Sequence, residues 1–145
     1  MKIRILYFVL LVAALCGCTQ NDGMIGSWFG TWALDRIEID GTEVEPDGGG
    51  DTFFSFHTSV IRICRVKDRI VVDERFGTWD SKDGYLTLDF SHHDDLAPEP
   101  GTSQYEPPRW IYFTDLVQRM WMAEKTGRKM ILEYGDHTYY LRKTY

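Results

Sequence analysis

The chain lacks the means to staple itself. Its three cysteines stand at positions 16, 18 and 64, too few and too poorly placed for a disulfide framework. Cys64 sits in the apolar run Val60-Ile61-Arg62-Ile63-Cys64, where a thiol serves as a small hydrophobe. Positive charge is also short. Formal charge is −6, and falls to −8 once Lys2 and Arg4 are set aside, which disfavours nucleic acid and anionic lipid surfaces as partners. After Gly26 almost no segment keeps a helical period, which argues against a helical architecture. Nor is there an apolar run long enough to span a bilayer: Ile5 to Leu15 would rise only about 16 Å as a helix, against roughly 30 Å of hydrocarbon.

What is present begins with that same run. Lys2 and Arg4 precede it and Cys16-Gly17-Cys18 follows it, the order of an export signal. Leu15-Cys16-Gly17-Cys18 resembles the bacterial lipobox, and the resemblance implies acylation of Cys18 after removal of residues 1–17. An ordinary cleaved signal would instead leave Cys18 as a free thiol. Two or three acyl chains would hold the protein on a bilayer, at about 0.8 kcal/mol per buried CH₂. Thr19, rather than Asp, follows the cysteine; by analogy with enterobacterial sorting this points to the outer membrane, on either face. The domain organisation expected is a signal at 1–17, a lipidated cysteine and tether at 18–25, and one folded domain at 26–145, since 128 residues suffice for a single core.

Within that domain short β-branched and aromatic runs recur between Gly, Asp, Asn, Pro and Ser, an all-β pattern. Tyr85-Leu86-Thr87-Leu88-Asp89-Phe90 alternates cleanly, with Leu86, Leu88 and Phe90 on one face. Lys129 to Tyr134 and Thr138 to Arg142 flank Gly135-Asp136, a tight hairpin turn. The apolar phase slips from Trp32 and Leu34 to Ile37 and Ile39, which predicts a β-bulge near Asp35-Arg36. Strands are expected near 27–39, 52–57, 60–66, 70–79, 85–90, 109–113, 118–124, 128–134 and 138–143. So many consecutive antiparallel strands form an up-and-down meander, which closes into a barrel of about eight strands to remove its edges. The loops Gly41 to Asp51 and Ser91 to Pro108 are expected to carry no regular structure, and the second is the first place to seek a binding lip.

Gly30-Thr31-Trp32 at the head of the first strand resembles the G-x-W motif of lipocalins. Arg142 in the last strand resembles the basic residue that packs over that tryptophan. The resemblance implies that Trp32 and Arg142 close one end of the barrel. Taken with the lipobox, the tether and the Tyr-rich last strand, the chain resembles bacterial lipocalin-like lipoproteins, though it lacks the lipocalins' long helix and disulfide.

The function expected is binding of a small apolar or amphipathic ligand inside the barrel, lined by Phe54, Phe56, Trp79, Leu86, Leu88, Trp110, Met120 and Met130. The alternative is a filled barrel whose loops dock a protein or glycan of the cell envelope. No cofactor is expected. His92-His93-Asp94-Asp95 has potential metal ligands, but adjacent residues rarely converge on one ion. Asp35, Glu38, Glu43, Glu45 and Asp51 cluster along the chain, as carboxylates do on any acidic surface, and no Ser or Cys nucleophile stands in a recognisable motif with a His. The expectation is therefore a protein that is not an enzyme.

Overall fold

Alternation of apolar and polar side chains makes each strand two-faced, and the chain disposes of its apolar faces by wrapping them inward. The computed structural model describes residues 26–91 and 104–144. Nine strands follow in order: β1 (Gly30–Ile39), β2 (Thr42–Val44), β3 (Asp51–His57), β4 (Val60–Lys67), β5 (Ile70–Lys82), β6 (Tyr85–Asp89), β7 (Val117–Lys125), β8 (Lys129–Tyr134) and β9 (His137–Lys143). Each of β3 to β8 pairs antiparallel with the next, and β1 pairs with β3 on one side and β9 on the other, so eight strands close into a barrel. β2 is an extra strand that continues the β1 edge beyond β3.

Tight turns hold the meander in register. Asp40-Gly41, Asp68-Arg69 and Asp83-Gly84 each place two residues at positive φ between paired strand ends, the backbone twist that suits two-residue hairpins. Gly135-Asp136 joins β8 to β9 as expected. The predicted bulge is present: the β1–β9 register shifts between Leu34 and Arg36, which lets Trp32 and Ile37 both face inward.

Two expectations are corrected. The Gly41–Asp51 loop holds β2, because Ile37, Glu38 and Ile39 have free edge groups once β3 turns away at Ala33. Residues 109–113 are not a strand: Arg109–Ile111 is a 3₁₀ turn ending at Tyr112 with φ 67. Pro107 and Pro108 precede it; they cannot donate to a ladder. Both prolines are buried, so this half of the Ser91–Pro108 loop is packed. Residues 92–103, with His92, His93, Asp94 and Asp95, and residues 1–25, with Cys18, lie outside the described residues.

The core is one cluster drawn from residues 32–141, with every strand of the closed barrel except β5 giving fully buried apolar side chains. β5 instead contributes Gly77 and Trp79. Gly77 is buried where β5 passes from β4 to β6, and a Cβ there would lie 2.5 Å from the Asp89 carbonyl oxygen and 3.0 Å from the Phe90 ring. Gly77→Ala is therefore expected to cost about 2 kcal/mol through overpacking, measured as a lower denaturant midpoint with unchanged slope.

Candidate functional site

The antiparallel order sorts the barrel into two ends. Gly26 to Gly30, the β7–β8 turn and the end of β9 lie at one; Asp47, the 3₁₀ turn and the β8–β9 hairpin lie at the other.

At the first end Trp32 is fully buried and its indole N–H donates to the Trp28 carbonyl at 2.9 Å. Trp28, Phe56 and Trp79 pack against one another there in tilted and edge-to-face contacts, with ring centroids 5.0–5.3 Å apart. The cations over the Trp32 ring are Lys125 Nζ at 4.8 Å and Lys143 Nζ at 5.5 Å. Arg142 is not among them. Trp32 is the cross-strand partner of Lys143 and Ala33 that of Arg142, so alternation points Arg142 outward, where it pairs with Asp35 at 3.2 Å. The expected closing role of Arg142 is thus corrected to Lys143, one residue along, with Lys125.

At the second end the segment 109–113 forms a plug. Trp110, Ile111 and Phe113 are buried, and neighbouring elements hold the plug at several points. Trp110 Nε1 donates to Thr52 Oγ1 at 3.1 Å, Tyr139 Oη donates to the Ile111 carbonyl at 3.0 Å, and Tyr112 Oη donates to the Glu45 carbonyl at 2.6 Å. The Asp47 N–H donates to the Trp110 carbonyl at 2.7 Å. Arg65 salt-bridges Asp73, donates to the Asp47 carbonyl and faces the Trp110 ring at 5.4 Å.

Between the ends lie the residues expected to line a ligand space. Phe54, Phe56, Leu86, Leu88, Met120 and Met130 belong to the core cluster with 0 % exposure, Trp110 to its plugged end, and Trp79 packs against it. The structure brings all eight together, but as mutual packing. A side chain bordering a void that could admit water would retain some accessible surface, and these six retain none.

One inward residue does not fit an apolar interior. Gln118 is fully buried on β7, and neither its Nε2 nor its Oε1 has a hydrogen-bond partner. The signal was in the alternation Gln118, Met120, Met122, which puts an amide on the inward face. Lys125 and Lys143 carry no motif, and only the closed barrel sets both over Trp32. Elsewhere, burial pushes the free Cys64 thiol up, away from thiolate. Among the described residues no group of three His, Cys, Asp or Glu side chains could hold a metal ion.

The described fold has counterparts among solved structures. A crystal structure of a lipocalin-like protein from Bacteroides uniformis aligns with a TM-score of 0.56 at 14 % identity, over 82 % of this chain and 100 % of that one. The fold is lipocalin-like. An uncharacterized protein from Bacteroides eggerthii aligns similarly, at a TM-score of 0.55 and 18 % identity over 81 % and 99 % of the two chains. No protein-family model and no curated protein matches the sequence. In this barrel the interior is occupied by the chain's own side chains.

Two outcomes follow for the interior. An unpartnered buried amide is costly, so Gln118→Met is expected to raise stability by about 1–2 kcal/mol in denaturant titrations; a loss of stability would mean that a bound molecule satisfies the amide. Burial, and then Asp136, raises the Tyr139 phenol well above its ordinary value. The unfolded chain ionises that phenol near pH 10 and the folded one only higher. Stability from Tyr139 is therefore intact below about pH 10 and lost as pH rises beyond it. Tyr139→Phe should lessen that alkaline loss, while costing about 1 kcal/mol at neutral pH with its hydrogen bond.

Proposed function

We propose that this protein is a non-catalytic binding module of the cell envelope, held on a bilayer through Cys18, whose barrel is a packed scaffold and whose recognition surface lies outside it. The observation that carries this reading is the zero exposure of Phe54, Phe56, Leu86, Leu88, Met120 and Met130. The anchoring rests on Leu15-Cys16-Gly17-Cys18 after an apolar run. At the plugged end Ile70, Val71 and Val72 stand exposed in a row, a patch of the kind that marks contact with a partner. A protein or glycan of the envelope is the partner class this suits.

A second reading is favoured by Gln118 alone: a carrier of a small apolar or amphipathic ligand, whose polar group would meet the buried amide after Ile111 and Phe113 withdraw. Native mass spectrometry of residues 19–145, purified gently from the native envelope, separates the two. Bare protein mass, unchanged when lipid is added, is expected; an adduct of a few hundred daltons that is lost on denaturation would establish the carrier instead. The anchor is tested apart from this. Cys18→Ser should move the protein from the detergent phase to the aqueous phase and abolish the acyl mass increment, and retention of either would defeat lipidation at Cys18.

A further inference from the structure

The cations on β1 and between Lys125 and Lys143 divide into two groups. Arg142 pairs with Asp35 at 3.2 Å, Arg36 with Glu38 at 3.1 Å and Lys129 with Glu124 at 3.2 Å. Lys125, Lys143 and Arg128 have no carboxylate partner among the described residues. The two ammonium groups instead converge on one carbonyl, that of Ser27, at 3.4 and 3.1 Å. The Arg128 side chain makes no hydrogen bond or ion pair there. Asp35 and Glu43 line a neighbouring cleft together with Arg128 and Lys143, but among the described residues Asp35 is held by Arg142 and no carboxylate reaches Lys125, Arg128 or Lys143, which leaves the three cations without a bound acid. Burial, and then Lys143, make Lys125 a weaker base than an ordinary lysine, as expected of an ammonium awaiting a counter-ion.

Arg128 and Lys143, though not Lys125, border a cleft of about 370 Å³ that is also lined by Phe29, Gly30, Gly127 and Thr144. Its rim residue Phe29 lies three residues after Gly26, which is eight residues after Cys18. Eight residues reach at most about 29 Å, so an anchor at Cys18 keeps this end near the bilayer.

We propose that this cleft docks the phosphate head groups of the bilayer that holds the protein, with Arg128 and Lys143 as the contacting cations, Lys125 behind them and Phe29 at the rim. The proposal rests on the anchored reading above. A cation at an anionic surface strengthens binding about fivefold. The negative charge of the rest of the chain opposes approach, but beyond about 8 Å it is screened at physiological salt.

The test uses unacylated protein beginning at residue 18 and carrying Cys18→Ser, since every strand and the whole core lie after that position. Its co-sedimentation is measured with vesicles of equal parts phosphatidylglycerol and phosphatidylcholine, and with phosphatidylcholine alone. Fluorescence of Trp28 and Trp32, which lie beneath Lys125, reports occupancy. Binding to the anionic vesicles alone is expected, weakened about fivefold by Arg128→Gln and unchanged by Arg69→Gln at the opposite end. Thermal melts of both variants should match the parent. Absence of binding, equal binding to both vesicles, or equal effects of the two variants would overturn the proposal. So would a fluorescence response to inorganic phosphate without vesicle preference, which would assign the site to a free oxyanion. Because the protein is unacylated, this result is independent of the Cys18 test: failure of that test removes the anchor and leaves the vesicle measurement intact.

Discussion

Everything else in this fold depends on the pairing of β1 with β9. Without it the meander would be an open sheet with two exposed edges. The ladder running from Trp32 opposite Lys143 to Ile39 opposite His137 turns that sheet into a closed wall. Closure decides what is inside, since only then do side chains from opposite strands meet. It also sets Lys143 over Trp32 and brings Ser27, at the other extremity of the domain, against Lys125 and Lys143.

The closed wall encloses a limited volume, and the chain fills it. An eight-stranded barrel is just wide enough to be packed by side chains or to hold one small ligand. Here Ile111 and Phe113, from a connecting segment rather than a strand, complete the filling: Phe113 meets Phe54 at 6.3 Å and Tyr139 at 5.1 Å between ring centroids. The two ends are finished differently. One is sealed by a plug whose carbonyl and indole groups are hydrogen-bonded to β3, β9 and the loop after β2. The other is capped by aromatic rings under lysines. The molecule is therefore asymmetric along its axis, with Gly26 and the Lys125–Lys143 pair of ammonium groups at the same end.

The wall itself was legible from residues read singly. Alternation in Leu86, Leu88 and Phe90 marked an inward face, the phase slip at Asp35-Arg36 marked a bulge, and Gly135-Asp136 marked a hairpin. Each of these is a local property, with a period or turn preference that survives without knowledge of neighbours. The plug was misread for the same reason. Arg109 to Phe113 is as apolar and aromatic as a strand, and only the lack of a free ladder beside it, after two buried prolines, turns it inward as a 3₁₀ turn. Arg142 was misassigned by one residue because pairing register is set across strands, not along them.

The sequence by itself determined an all-β chain, its strand faces and most of its turns, because hydrophobic period and turn chemistry act over a few residues. Tertiary structure alone decided whether the barrel is full or hollow. That depends on how side chains from eight strands and one loop sum to a volume, a quantity no single segment contains. It also decided which cations lack partners. Lys125, Arg128 and Lys143 are ordinary in sequence, and come together without a carboxylate bound to any of them only when closure brings β7, β8 and β9 to one end.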